Sequence, residues 1–131
     1  MSRILVVDDH EPVRRGIQTL LASRQDWFVC GEAADGLQAV KEAKLLRPDL
    51  IVMDVSMPNM NGMEATRIIL DERPETRVLI ISQNDPAIVR RQAVEAHAHG
   101  FLEKSNLQRN LIAAVEGILS GDGQAKTEKA S

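Results

Sequence analysis

Residues 4–12 read Ile4-Leu5-Val6-Val7-Asp8-Asp9-His10-Glu11-Pro12. Four apolar residues end in two adjacent carboxylates. A short apolar run with no polar interruption predicts a strand covered on both faces, as in a parallel sheet; strict alternation would mark a strand with one wet face. The carboxylates repel each other and are costly to desolvate. Either they are solvated or something positive sits between them.

The same kind of run recurs at Leu50-Ile51-Val52-Met53 and Val78-Leu79-Ile80-Ile81, and weaker strands are expected at residues 28–32 and 100–103. Helical spacing lies between them. Val13, Ile17, Leu20 and Leu21 share one face, and Leu37, Val40, Ala43 and Lys44 suggest a second helix, stopped before Pro48. Ala65, Ile68 and Ile69 mark a third, ending near Pro74. Asp85-Pro86 is an N-cap residue followed by proline at the first helical position. The fourth helix has a weak stripe, mostly Ala93 and Ala96, and is expected to pack loosely. Leu111, Val115, Ile118 and Leu119 form the fifth, with Ser105 and Gln108 spaced as a capping box. Five strand–helix repeats with buried strands predict a doubly wound α/β domain with right-handed crossovers. From about Ser120 the composition turns polar, as in a linker or frayed tail.

The chain has 131 residues, enough for one domain with a full core, and 44% of them are hydrophobic. Its net charge of −3 disfavours nucleic-acid binding by this segment alone. The single cysteine, Cys30, reads as a small buried hydrophobe. The N-terminus lacks a signal-peptide pattern, and no apolar run approaches the length of a membrane span. A soluble cytoplasmic domain is expected. Trp27 is expected to pack at the second strand or its rim. His97 and His99 read as the solvated end of a helix, and His10 as a solvated loop residue.

All strands of an open parallel sheet point their carboxyl ends to one edge, where ligands bind. Asp8 and Asp9 follow the first strand, Asp54 ends the third, Ser82 the fourth, and Lys104 follows the fifth. Singly, each is an ordinary cap or surface residue. Together, three carboxylates call for a hard cation, and Mg²⁺ fits. A carboxylate can also accept a phosphoryl group as a nucleophile, a reaction that needs mainly positioning and charge neutralisation.

In order and spacing, "VVDDHEPVRRG", "PDLIVMDVSMPNMNGMEA", "VLIIS" and "GFLEKS" resemble the receiver (response-regulator) domains of two-component signalling, over residues 3–119. The resemblance implies a five-stranded sheet ordered 2-1-3-4-5 with five helices on both faces. It implies a receiver domain over 1–119 and a polar tail over 120–131. Asp54 would be the phosphoacceptor. Asp8, Asp9, Asp54 and the Ser56 backbone carbonyl would hold Mg²⁺, with Asp9 a more direct ligand than Asp8 and Mn²⁺ a substitute. Lys104 would pair with the phosphoryl oxygens, Ser82 would hydrogen-bond one, and Phe101 would be the aromatic switch. Ser56 and Asn84 would flank the attacking water and tune phosphate lifetime.

The implied function is a switch, not a true enzyme. It would take a phosphoryl group from a sensor histidine kinase or phosphotransfer domain and slowly lose it. Phosphorylation would alter the surface of the fourth helix, fifth strand and fifth helix, and a phosphorylation-linked homodimer is expected. "GFLEKS" and "LIAAVEGILSG" look like the subgroup that precedes a helix-turn-helix domain, so DNA would be reached only through an output domain outside these residues. A stand-alone receiver in a phosphorelay is the alternative. A metal-dependent phosphatase would need an acid where His10 stands. Gln83 and Ser105 depart from the commonest pattern: Gln83 could narrow access to Asp54, and the Lys104–Ser105 peptide could be cis or trans. Phe101 lacks a hydroxyl, so its switch would work by packing.

Overall fold

A computed structural model describes residues 1–121. In chain order the elements are β1 (Ser2–Val7), α1 (Glu11–Leu21), β2 (Trp27–Ala33), α2 (Gly36–Leu46), β3 (Leu50–Asp54) and α3 (Gly62–Glu72). They continue with β4 (Arg77–Ser82), α4 (Pro86–Glu95), β5 (Gly100–Glu103), a 3₁₀ turn (Lys104–Asn106) and α5 (Leu107–Leu119). All strand pairs are parallel, in the order β2-β1-β3-β4-β5.

The apolar runs behave as their composition requires. Leu5, Val7, Ile51, Met53, Val78 and Ile80 join a core with residues of α2, α3 and α4. Ile4, Val6, Leu50, Val52, Leu79 and Ile81 join a second core with residues of α1 and α5. Every residue of the three runs is 0% exposed. Helices on both faces leave no wet side, which is why polar alternation is missing from these strands. No helix among the described residues is long and apolar enough to cross a membrane.

β2 is longer than expected and irregular. Ile4 pairs with Val29 but Leu5 with Gly31, so Cys30 is the extra residue of a bulge. The bulge resets which face each side chain meets. Trp27 and Val29 pack with the α1/α5 core, and Glu32 beyond the bulge reaches α1 while Ala33 joins the other core. Cys30 is half-buried rather than buried, and burial pushes its thiol pKa up. Trp27 is packed rather than rim-exposed, with the Arg24 guanidinium 4.5 Å from its ring centroid.

Several helical expectations need correction. Leu37 and Lys44 are exposed; α2 buries Gly36, Ala39 and Ala43 instead. Asp35 caps the helix by accepting from Gln38 N–H. A Cβ at Gly36 would overlap the Met60 carbonyl, so the face of small residues answers close backbone packing. The capping box at Ser105 does not form. The 3₁₀ turn delays α5 to Leu107, so Asn106 is the N-cap residue and Gln108 falls one position short of the box. The stripe of α4 is narrow, yet Val89, Ala93 and Ala96 are buried. His97 ends α4 at φ 66°, whereas His99 is no solvated helix end. It is half-buried, and its Nδ1 accepts from Val78 N–H at 3.1 Å. Burial, with Arg77 nearby, lowers its pKa. No peptide bond among the described residues is cis, so Lys104–Ser105 is trans. Most of the expected tail, residues 122–131, lies outside the described residues.

Candidate functional site

β1 and β3 run side by side in register, Val7 opposite Met53. Asp8, just past β1, and Asp54, the last residue of β3, therefore reach the same edge. Asp8 N–H donates to the Ala33 carbonyl at 3.1 Å. His10 N–H donates to Asp8 Oδ1 at 2.8 Å, turning the chain into α1. Asp9 is exposed, whereas Asp8 is 0% and Asp54 3% exposed. Each of the three offers a carboxylate oxygen within 4.8 Å of the others.

Lys104 opens the 3₁₀ turn after β5. Its Nζ lies 2.8 Å from Asp8 Oδ2 and 3.1 Å from Asp54 Oδ1. One ammonium thus bridges two buried carboxylates. It does not satisfy them fully, because Asp54 Oδ2 is buried with no hydrogen-bond partner among the described residues. Burial, then the Asp8 charge, raises the Asp54 pKa from its ordinary 3.8 to about 6, against the opposing pull of Lys104. Burial would lower the Lys104 pKa, but its bonds and charge contacts with Asp8 and Asp54 leave it raised. An ammonium alone does not relieve this crowding of carboxylates.

Ser82 ends β4 and is 1% exposed. Its Oγ accepts from Asn84 N–H at 2.9 Å, so the hydroxyl proton is free of that bond. Asn84 Nδ2 donates to Ser56 Oγ at 3.2 Å, tying the β4–α4 loop to the β3–α3 loop. Gln83 is exposed, and this tie comes from Asn84. The β3–α3 loop folds back tightly: Gly62 N–H donates to the Val55 carbonyl at 2.8 Å. A Cβ at Gly62 would overlap the Asp54 carbonyl oxygen, so glycine stands there for close approach. Phe101, paired with Ile80 and 3% exposed, is packed inside the core beneath α4.

Sequence reasoning did not single out Arg14. Its side chain is only 15% exposed, and Nη1 donates to the Asp8 carbonyl at 2.8 Å. Nε donates to Glu32 Oε1 at 2.7 Å, and this bond holds the Glu32 carboxyl below its usual range. Spacing along α1 gave no warning, because Arg14-Arg15 looks like an ordinary solvated pair and Glu32 is on another element.

Residues 4–116 match the family model described as the response regulator receiver domain. The chain is 37% identical over 123 residues to response regulator GacA of Pseudomonas viridiflava, covering 92% of this chain and 56% of that protein. It is 34% identical over 119 residues to transcriptional regulatory protein DegU of Brevibacillus brevis, covering 91% of this chain and 50% of that one. It therefore spans about half the length of these curated relatives. A crystal structure of a LuxR-family two-component response regulator from an Aurantimonas species superposes with a TM-score of 0.91 at 36% identity, covering 98% of this chain and 91% of that one. The response regulator domain of Thermotoga maritima CheB gives 0.85 at 32% identity, covering 93% and 98%.

Proposed function

The chain belongs to the response regulator receiver domain family of two-component signalling, and from that premise we propose that Asp54 accepts a phosphoryl group from a phosphohistidine. The donor would be a sensor histidine kinase or a phosphotransfer domain. An Asp54 oxygen forms the new O–P bond as the N–P bond breaks, and the electron pair returns to the imidazole nitrogen. The observation that carries this reading is Asp54 Oδ2: buried, unpartnered among the described residues, and beside two acids and an ammonium.

The residues present fit a hard divalent cation. Asp8, Asp9 and Asp54 supply carboxylates, and the orphaned Asp54 oxygen lacks a positive partner. They would hold Mg²⁺, or Mn²⁺ in its place, with the Ser56 backbone carbonyl. Bound there, the ion supplies neutralisation of the carboxylates and of phosphoryl oxygens.

Lys104 would transfer its contact from the carboxylates to a phosphoryl oxygen, a charge-assisted bond. The free proton of Ser82 would go to another, drawing the β4–α4 loop inward. Phe101 has no hydroxyl and already sits in the core, so it would hold the shifted loop by packing, and the α4–β5–α5 surface would change. Ser56 and Asn84, joined across the two loops, would set how readily water reaches the phosphoryl group.

Residues 1–119 would form the receiver unit, acting by self-directed phosphotransfer and slow autodephosphorylation rather than turnover of a free substrate. One curated relative, the transcriptional regulatory protein DegU, is about twice as long, which supports a place in the N-terminal half of such a regulator, with homodimer formation on phosphorylation. The test is incubation with Mg²⁺ and a small acyl phosphate, read by intact mass. One added phosphoryl group is expected, absent in Asp54→Asn. An unmodified chain under conditions that label another receiver would refute the proposal.

A further inference from the structure

Asp9 differs from the other two acids of the cluster. Asp8 and Asp54 both touch Lys104, but the Asp9 carboxylate has no hydrogen bond or ion pair among the described residues. It is exposed, yet its oxygen lies within 4.8 Å of theirs. With no side-chain partner to hold it, only the backbone of the β1–α1 turn fixes where its side chain starts.

That backbone is held at three points, the first being Asp8 N–H, which donates to the Ala33 carbonyl at 3.1 Å. His10 N–H donates to Asp8 Oδ1. Arg14 Nη1 donates at 2.8 Å to the Asp8 carbonyl, the oxygen of the Asp8–Asp9 peptide itself. Asp8 lies past the end of β1, so the ladder supplies no partner for this carbonyl. Arg14 is itself fixed. Its Nε donates to Glu32 Oε1 at 2.7 Å, and Gln18 Nε2 donates to the same oxygen at 3.1 Å. The planar guanidinium makes both bonds from different nitrogens in one rigid plane, which a lysine ammonium does not reproduce.

We infer that Arg14 is a positioning residue for the divalent-cation site, aiming the Asp9 carboxylate by anchoring the Asp8–Asp9 peptide to Glu32 of β2. This rests on the reading of Asp8, Asp9 and Asp54 as a Mg²⁺ site. Charge alone makes the opposite prediction. A guanidinium near a bound cation repels it, so removing Arg14 would tighten Mg²⁺ binding. Loss of positioning weakens it.

The test is calorimetric titration of the full chain with Mg²⁺, for the unmodified protein, Arg14→Ala, Asp9→Asn and the double variant. Arg14→Ala is expected to weaken Mg²⁺ binding about tenfold, the usual effect of removing a partner that orients a ligand. In the Asp9→Asn background it is expected to add little, because both changes act through one carboxylate. Unchanged or tighter binding in Arg14→Ala overturns the inference, as does an equally large further loss in the Asp9→Asn background. If Arg14→Ala fails to fold, Glu32→Gln loosens the clamp and leaves Arg14 in place; weaker Mg²⁺ binding than in the unmodified protein is expected, and unchanged binding overturns the inference. An unmodified chain that binds no Mg²⁺ overturns the reading of the site and this inference with it. Mg²⁺ binding that survives Arg14→Ala intact overturns the inference alone.

Discussion

Asp54 stands at the meeting point of opposed effects. Burial and Asp8 favour its protonated form, and Lys104 at 3.1 Å favours its charge; the first two prevail, with a pKa of about 6. The native state thus keeps a proton that the unfolded chain releases between roughly pH 4 and pH 6. Stability falls as pH rises through that window and stays lower above it. Without divalent metal, Asp54→Asn should therefore stabilise the domain at pH 7.5, by up to about 3 kcal/mol. The gain should vanish below about pH 4, as measured by urea denaturation across pH. A variant less stable than the parent at pH 7.5 would contradict this electrostatic picture. Gly62 has the opposite character, since its role is purely steric. Gly62→Ala should destabilise the domain by about 1–3 kcal/mol or more, because the new Cβ meets the Asp54 carbonyl. Denaturation midpoints would measure this.

The caps separate α4 from α5. Asp85 accepts from Ala87 N–H at 3.0 Å, with Pro86 behind it, so α4 begins where its sequence says it should. Asp85→Ala should cost about 0.5–2 kcal/mol and speed amide exchange in the first turn of α4. Ser105→Ala should have almost no effect on α5, because Ser105 is exposed and the 3₁₀ turn has moved the helix start beyond it. A loss from Ser105→Ala as large as that from Asp85→Ala would mean that the box forms in solution. Both serine and aspartate patterns look alike in sequence. What separates them is the path of the backbone out of the preceding strand.

Over the whole molecule, the site joins the ends of β1, β3, β4 and β5, so a ligand held there links elements far apart in sequence. Mg²⁺ at a hundred times its dissociation constant should stabilise the chain by about 2.7 kcal/mol, seen as a rise in melting temperature. Asp9→Ala should remove most of this rise while leaving the metal-free melting temperature close to the parent's. Retention of the rise would dismiss Asp9 as a ligand. The unbroken apolar runs were enough to specify a parallel sheet covered on both faces, because solvent exclusion writes itself into residue type. The strand-end acids, Ser82 and Lys104 were legible for a related reason: each stands where an apolar strand abruptly becomes polar. The bulge at Cys30, the delayed start of α5, the exposure of Leu37 and the Arg14–Glu32 clamp left no such mark. They depend on contacts between residues distant along the chain. Residue type alone determined which segments are buried and which end in charge. Only the tertiary structure decided which charges touch, because a 2.8 Å contact depends on register and backbone path, and side-chain chemistry does not specify those.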